Sequence, residues 1–216
     1  MPEISTLIAF AAAVLVMQAT PGPDMMLVLG RSVGQGRRVA LCTVLGMTLL
    51  AGMVQLPLLV LGVASLIHAS PVAFMLLRWV GATYLVWLGV RLIWQSVHRQ
   101  AGAVEAYRVP AWSAMREGMI NNLTNPKPLL FMFAFLPQFV DPSRGPVWAQ
   151  LLLIGVLQKL SGVAVLSSVA LVFGSVGGWL ARRPGWVAWQ ERFTGAVLIF
   201  LGLRLMLTGD ARPASA

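Results

Sequence analysis

Asp24 and Lys127 are the side chains most able to do chemistry, because each is ionisable, follows a proline directly and sits inside an apolar run. A charge at mid-bilayer costs roughly 2.5–3.5 kcal/mol on insertion scales, so it is retained only for a reason. Asp24 could bind an ammonium group or carry a proton, and Lys127 could bind a carboxylate. Two plainer readings stay open. The pair could simply neutralise each other, or Asp24 could sit shallow, as a helix cap near the inner interface. Gln55, Gln158, Lys159 and Ser161 form a second polar level in two further apolar runs. They suit a substrate contact, and they equally suit interhelical hydrogen bonding, worth about 0.6 kcal/mol on average.

The surroundings of both charges carry backbone breaks. One is Thr20-Pro21-Gly22-Pro23-Asp24; the other is Asn121-Asn122-Leu123-Thr124-Asn125-Pro126-Lys127-Pro128. A proline removes the hydrogen bond to the carbonyl four residues earlier. Here that frees the carbonyls of Met17 and Ala19, and of Asn122 and Thr124. In a membrane such groups must face protein or a wet cavity. Each break also starts a half-helix whose unpaired N–H groups attract anions. Freed carbonyls beside anion-seeking N–H groups suit a zwitterion, of which an amino acid is the obvious example. The alternative is that the prolines only kink helices, with Asn and Thr re-satisfying the backbone.

The composition predicts what holds these residues. Of 216 residues 58% are apolar and only 11% charged, against about 25% charged in a soluble domain. There is too little charge to clothe a water-facing surface, so lipid is the expected solvent. Six apolar stretches, 5–29, 39–67, 71–94, 114–139, 147–177 and 187–208, can each cross about 30 Å of hydrocarbon. Pro57 is expected to kink the second, and Ser70-Pro71 to open the third as N-cap and first helical residue. Glu3 has the wrong sign for a secretory signal, so the first stretch is expected to remain. The net charge of +9 fits short basic loops better than nucleic-acid binding. With the N-terminus outside, ten arginines fall on the cytoplasmic side (31, 37, 38, 91, 99, 108, 116, 182, 183, 192). Four fall outside (78, 144, 204, 212), so both termini are expected outside. Cys42 is the one cysteine, and His68 and His98 lie apart, so neither a disulfide, a metal site nor a cofactor is expected.

The chain also repeats. Pro23-Asp24 falls opposite Pro126-Lys127, and Gly52-x-x-Gln55 opposite Gly155-x-x-Gln158, at one constant offset. Arg78-x-x-Gly81-Ala82 and Leu88-Gly89 likewise match Arg192-x-x-Gly195-Ala196 and Leu201-Gly202. Three helices per copy invert the second copy, an arrangement frequent in secondary transporters. The expected fold is therefore an all-α integral membrane protein. Its six transmembrane helices form two inverted three-helix repeats, with helices 1 and 4 broken. One transporter domain spans 1–216, with repeat 1 about 1–95, a cytoplasmic connection about 96–112, and repeat 2 about 113–216. The candidate site comprises Pro21, Gly22, Pro23, Asp24, Gln55, Asn122, Asn125, Pro126, Lys127 and Gln158.

Taken together, Thr20-Pro21-Gly22-Pro23-Asp24, the following Gly30-Arg31-Ser32-Val33-Gly34-Gln35-Gly36-Arg37-Arg38, Asn125-Pro126-Lys127 and Phe135-Leu136-Pro137-Gln138-Phe139-Val140-Asp141-Pro142 have a specific order. With Gly81-Ala82-Thr83-Tyr84-Leu85 and Leu88-Gly89, the chain resembles the LysE/RhtB family of amino-acid exporters over nearly its whole length. The resemblance implies a six-helix exporter of amino acids or related metabolites in the cytoplasmic membrane, driven by proton antiport. One departure lies in helix five, where family members often carry an acidic residue and this chain reads Gln158-Lys159-Leu160-Ser161. It bears on substrate charge and on coupling. A metal-ion exporter on the same scaffold has thin support from Asp24 and Cys42. An intramembrane enzyme would need HExxH or paired carboxylates, neither of which occurs. A homo-oligomer stays open.

Overall fold

A computed structural model describes residues 4–19, 22–63, 70–97, 109–180 and 184–207. Pro21, His68, His98, most of the central connection and the C-terminal tail lie outside the described residues. Every described element is helical, with no strand among them. The helices are α1 (Ile4–Ala19), α2 (Pro23–Gln35), α3 (Arg37–Val63), α4 (Pro71–Val97), α5 (Ala111–Thr124), α6 (126–139), α7 (Val147–Leu180) and α8 (Pro184–Leu207).

The breaks fall where the prolines demand. Gly22 is extended at φ −165°, ψ 179°, and Pro23 opens α2 at its first position. There its missing N–H costs nothing, because that donor has no partner within the helix anyway. The helices on either side of this break bend by 54°. Asn125 is likewise extended, at φ −78°, ψ 112°, and its side chain accepts the Lys127 N–H at 3.1 Å, capping α6 behind Pro126. Both expected interruptions are thus full stops between helices rather than kinks inside one. Pro57, by contrast, stays inside α3. The strain of its missing donor is absorbed by a π-helical stretch, Leu58–Val63, immediately after it. Pro71 begins α4, as its position after Ser70 predicts.

Two described helices, Arg37–Val63 and Val147–Val172, are each long and apolar enough to cross a membrane. The bent pair Thr6–Ala19 and Pro23–Gln35 makes a third if it is one span. Large apolar side chains face outward on several helices, among them Ile8, Met53, Leu61, Phe200 and Leu207. So extensive an apolar exterior is a lipid-facing surface rather than a water-facing one. In the short link before α7, Asp141 accepts from the Ser143 hydroxyl and N–H and from Arg144. The Ser143 hydroxyl, then its N–H, hold that carboxyl below its ordinary range.

Close packing depends on glycine at two crossings. A Cβ on Gly46 of α3 would lie 1.9 Å from the Met115 carbonyl oxygen of α5, and one on Gly118 would lie 2.3 Å from that of Thr43. Between α4 and α8, a Cβ on Gly89 would meet the Gly195 carbonyl at 2.5 Å, and one on Gly195 the Gly89 carbonyl at 2.6 Å. Such small-residue seams let helix backbones approach where no hydrophobic effect drives them together.

The interior separates into two apolar clusters. One gathers residues such as Phe10, Val14, Met17, Leu59, Phe131, Leu151, Ile154 and Leu198. The other gathers Met25, Val28, Ala40, Val44, Met47, Leu166 and Ala170. Along α3 the second cluster ends at Met47 and the first begins at Leu59; along α7 the order reverses, from Ile154 to Leu166. The buried polar residues Thr48 and Gln55 of α3 and Gln158 of α7 fall in these intervals.

Candidate functional site

That interval is a polar layer held between two greasy ones. It encloses a cavity of about 60 Å³ whose lining includes Gln18, Asp24, Asn122, Lys127, Gln158 and Lys159. The volume is less than half that of an engineered cavity admitting benzene, roughly 150 Å³. It has room for water, and a solute of amino-acid size requires the helices to part.

Asp24 projects from the first turn of α2 and is gripped by three carboxamides. Asn121 Nδ2 donates to Oδ1 at 2.6 Å, Asn122 Nδ2 to Oδ2 at 2.6 Å, and Asn125 Nδ2 to Oδ1 at 3.0 Å. Residues 121, 122 and 125 share one side of the helix end at i, i+1 and i+4, so the break in the second half presents all three amides to the carboxylate of the first. The half-helix N-terminus beneath Asp24 favours its charge as well.

From Asn122 the network continues across the helices. Gln55 Nε2 of α3 donates to Asn122 Oδ1 at 3.1 Å, and Lys159 Nζ of α7 donates to Gln55 Oε1. The chain begins at an ammonium, which can only donate, and ends at a carboxylate, which can only accept. Both amides between them are therefore fixed in orientation by the ends. The Lys159 stem runs past Gly52, where a Cβ would stand 3.7 Å from its Cγ and Cδ.

Lys127, on the first turn of α6, is buried, with 7% of its surface exposed. Its Nζ and Cδ lie 3.4 Å from where a Cβ on Gly22 would be, so its head reaches across to the break in the first half. Asp24 is close enough to act through its charge on both lysines. Gln18 of α1 donates to the Gln158 carbonyl at 2.8 Å and to Ser161 Oγ at 3.0 Å. The carbonyl, an obligate acceptor, holds the Gln18 amide nitrogen on that side. Among the described residues, Gln18 Oε1 and Gln158 Oε1 are left buried without a hydrogen-bond partner.

The structure thus brings together Gly22, Asp24, Gln55, Asn122, Asn125, Lys127 and Gln158. Pro23 and Pro126 stand as the first residues of the two half-helices, while Pro21 lies outside the described residues. Gln18 and Asn121 join them, although neither was among the candidates. Gln18 carried a signal, as a glutamine at the end of an otherwise apolar run. Among the described residues no group of three or more His, Cys, Asp or Glu gathers to hold a metal ion. At the far end of α2, Arg31 pairs with Glu117 of α5, and Ser32 Oγ donates to the Ala170 carbonyl of α7 at 2.5 Å.

The family described as LysE type translocator matches residues 15–209. A homoserine/homoserine lactone efflux protein of Salmonella typhimurium (strain LT2) is 27% identical over 201 residues, 91% of this chain and 94% of that protein. A leucine efflux protein of Enterobacter sp. (strain 638) is 31% identical over 147 residues, 68% of this chain and 69% of that protein. An uncharacterized membrane protein of Vibrio cholerae is 26% identical over 204 residues, 94% and 97% of the two chains. No solved structure matches. With its apolar helices and a family match running almost end to end, the chain belongs to the LysE type translocators and is a multi-pass membrane transporter, not an enzyme.

Proposed function

We propose that this protein exports a small amino acid or derivative across the cytoplasmic membrane, in exchange for protons. The observation that carries the reading is the meeting of opposite charges from two helix breaks, Asp24 from one half and Lys127 from the other, in one buried cavity. Lys127, at one half-helix end, matches the carboxylate of an amino acid, and Asp24, at the other, supplies an ionisable group for the exchanged proton. The efflux functions named for the Salmonella and Enterobacter relatives point the same way. Asp24 is the proton carrier in this reading, since it is the carboxylate of the cavity.

Six spans in two inverted halves, with both termini outside, frame the mechanism. Reciprocal contacts support that symmetry. Gln55 bonds to the second broken pair through Asn122, and the Gln158 carbonyl bonds to the first through Gln18. Gly89 meets Gly195 while Gly202, the repeat partner of Gly89, meets Ala82, next to the repeat partner of Gly195. Alternating access is then a rocking of one half against the other around the polar layer, with each apolar cluster sealing one side in turn. The test is exchange transport by purified protein in vesicles, with and without an imposed proton gradient. Gradient-driven amino-acid movement is expected, and movement indifferent to the gradient would remove the antiport.

A further inference from the structure

Among the described residues the charged groups lining the cavity do not balance: Lys127 and Lys159 face one carboxylate, Asp24. Asp24 is moreover already gripped by three neutral amides, so much of its hydrogen-bonding capacity is spent before any ligand arrives. An excess positive charge held between two apolar clusters is costly and calls for an anionic partner. The same cavity offers the reverse feature on its α1–α7 wall. Among the described residues, Gln18 Oε1 and Gln158 Oε1 are buried acceptors with nothing to accept from, and Gln158 is 4% exposed. A buried unpaired carbonyl oxygen seeks a donor, which a substrate ammonium supplies.

We propose that the substrate is an amino acid with an acidic side chain, net charge −1, and that Lys159 sets this preference. The inference rests on the export reading and sharpens it. The substrate ammonium docks against Gln18 and Gln158. One carboxylate lies towards Lys127, and the second is met by Lys159, whose stem is delivered across the bare surface of Gly52. Gln55 holds the Lys159 head in place until the substrate takes over that contact. A neutral amino acid would leave the Lys159 charge uncompensated.

The test is exchange of labelled L-aspartate, L-glutamate, L-homoserine and L-leucine by the purified protein in vesicles. The wild-type chain should exchange at least one of the acidic pair about tenfold faster than either neutral substrate. Lys159→Gln should reduce that preference about tenfold, and Lys159→Arg, which keeps the charge, should largely retain it. Faster exchange of L-homoserine or L-leucine by the wild-type chain overturns the charge assignment while leaving amino-acid export standing. That comparison needs no variant, so a poorly folding Lys159→Gln does not shield the proposal. An unchanged acidic preference in well-folded Lys159→Gln overturns the role of Lys159. Exchange of none of the four by monodisperse protein overturns the export reading, and this inference with it.

Discussion

Asp24 takes three hydrogen bonds from neutral amides, and this separates its charge from its shape. Asp24→Asn is nearly isosteric, so the protein should still insert and purify as wild type. In the proposed mechanism it should lose gradient-driven transport entirely, measured in vesicles beside uncoupled exchange; full coupling in that variant would end the proton-carrier role. Asn122 sits in the middle of the network, so Asn122→Ala strands Gln55 Nε2 and an Asp24 oxygen together. Each orphaned buried group costs about 1–3 kcal/mol, and thermal unfolding in detergent should show that loss. Lys127→Ala should weaken exchange of carboxylate-bearing substrates more than it lowers the melting temperature. If the two charges only neutralise each other, joining it with Asp24→Asn should restore activity. Asp24, Lys127, Gln55 and Gln158 were legible because a polar side chain in an apolar run stands out. The bonds among them were not, since hydropathy reports that a residue is polar and not which helix faces it.

At the scale of elements, proline placement gave away both interruptions and the opening of α4. The π-helical segments 46–50 and 131–135 left no comparable mark. They arise from packing, where a widened turn lets a helix keep its register against several neighbours at once. The glycine seams were visible only as glycines, because the sequence does not state how near a neighbouring carbonyl comes. Gly46→Ala puts a methyl 1.9 Å from the Met115 oxygen and forces α3 and α5 apart. Overpacking of this kind costs about 1–3 kcal/mol. Gly62→Ala, with nothing within 4 Å, serves as the control. A melting temperature equal for the two variants would show that the crossing is looser than these distances imply.

For the molecule as a whole, the apolar composition announced a membrane protein, and the family match places it among transporters. Orientation is a matter of loops. With basic residues divided ten to four, reporter fusions at Ala216 and near Ala103 should localise to opposite sides. Two cytoplasmic signals would refute the six-span arrangement. The proposed repeat rests on a few residues, Pro23 and Pro126 or Gln55 and Gln158, that keep one offset along the chain. The layering of polar residues between two apolar clusters was not readable, because each cluster draws on helices far apart in sequence.

The hydrogen-bonded row from Lys159 through Gln55 and Asn122 to Asp24 has a property that its continuity disguises. A carboxamide gives and receives hydrogen bonds through different atoms, so it cannot hand on a proton the way a water or a hydroxyl does. The row polarises along its length, and a charge gained at one end is felt at the other. For protons, however, it is an insulator. In the antiport reading, a proton would therefore reach Asp24 through water, when one apolar cluster opens. In the same reading the row adds no proton path of its own, and the two apolar clusters alone keep the sides apart. Replacing Gln55 by alanine should therefore leave proton flux without substrate at the wild-type level, and a substrate-free leak in that variant would show that the row itself is part of the barrier.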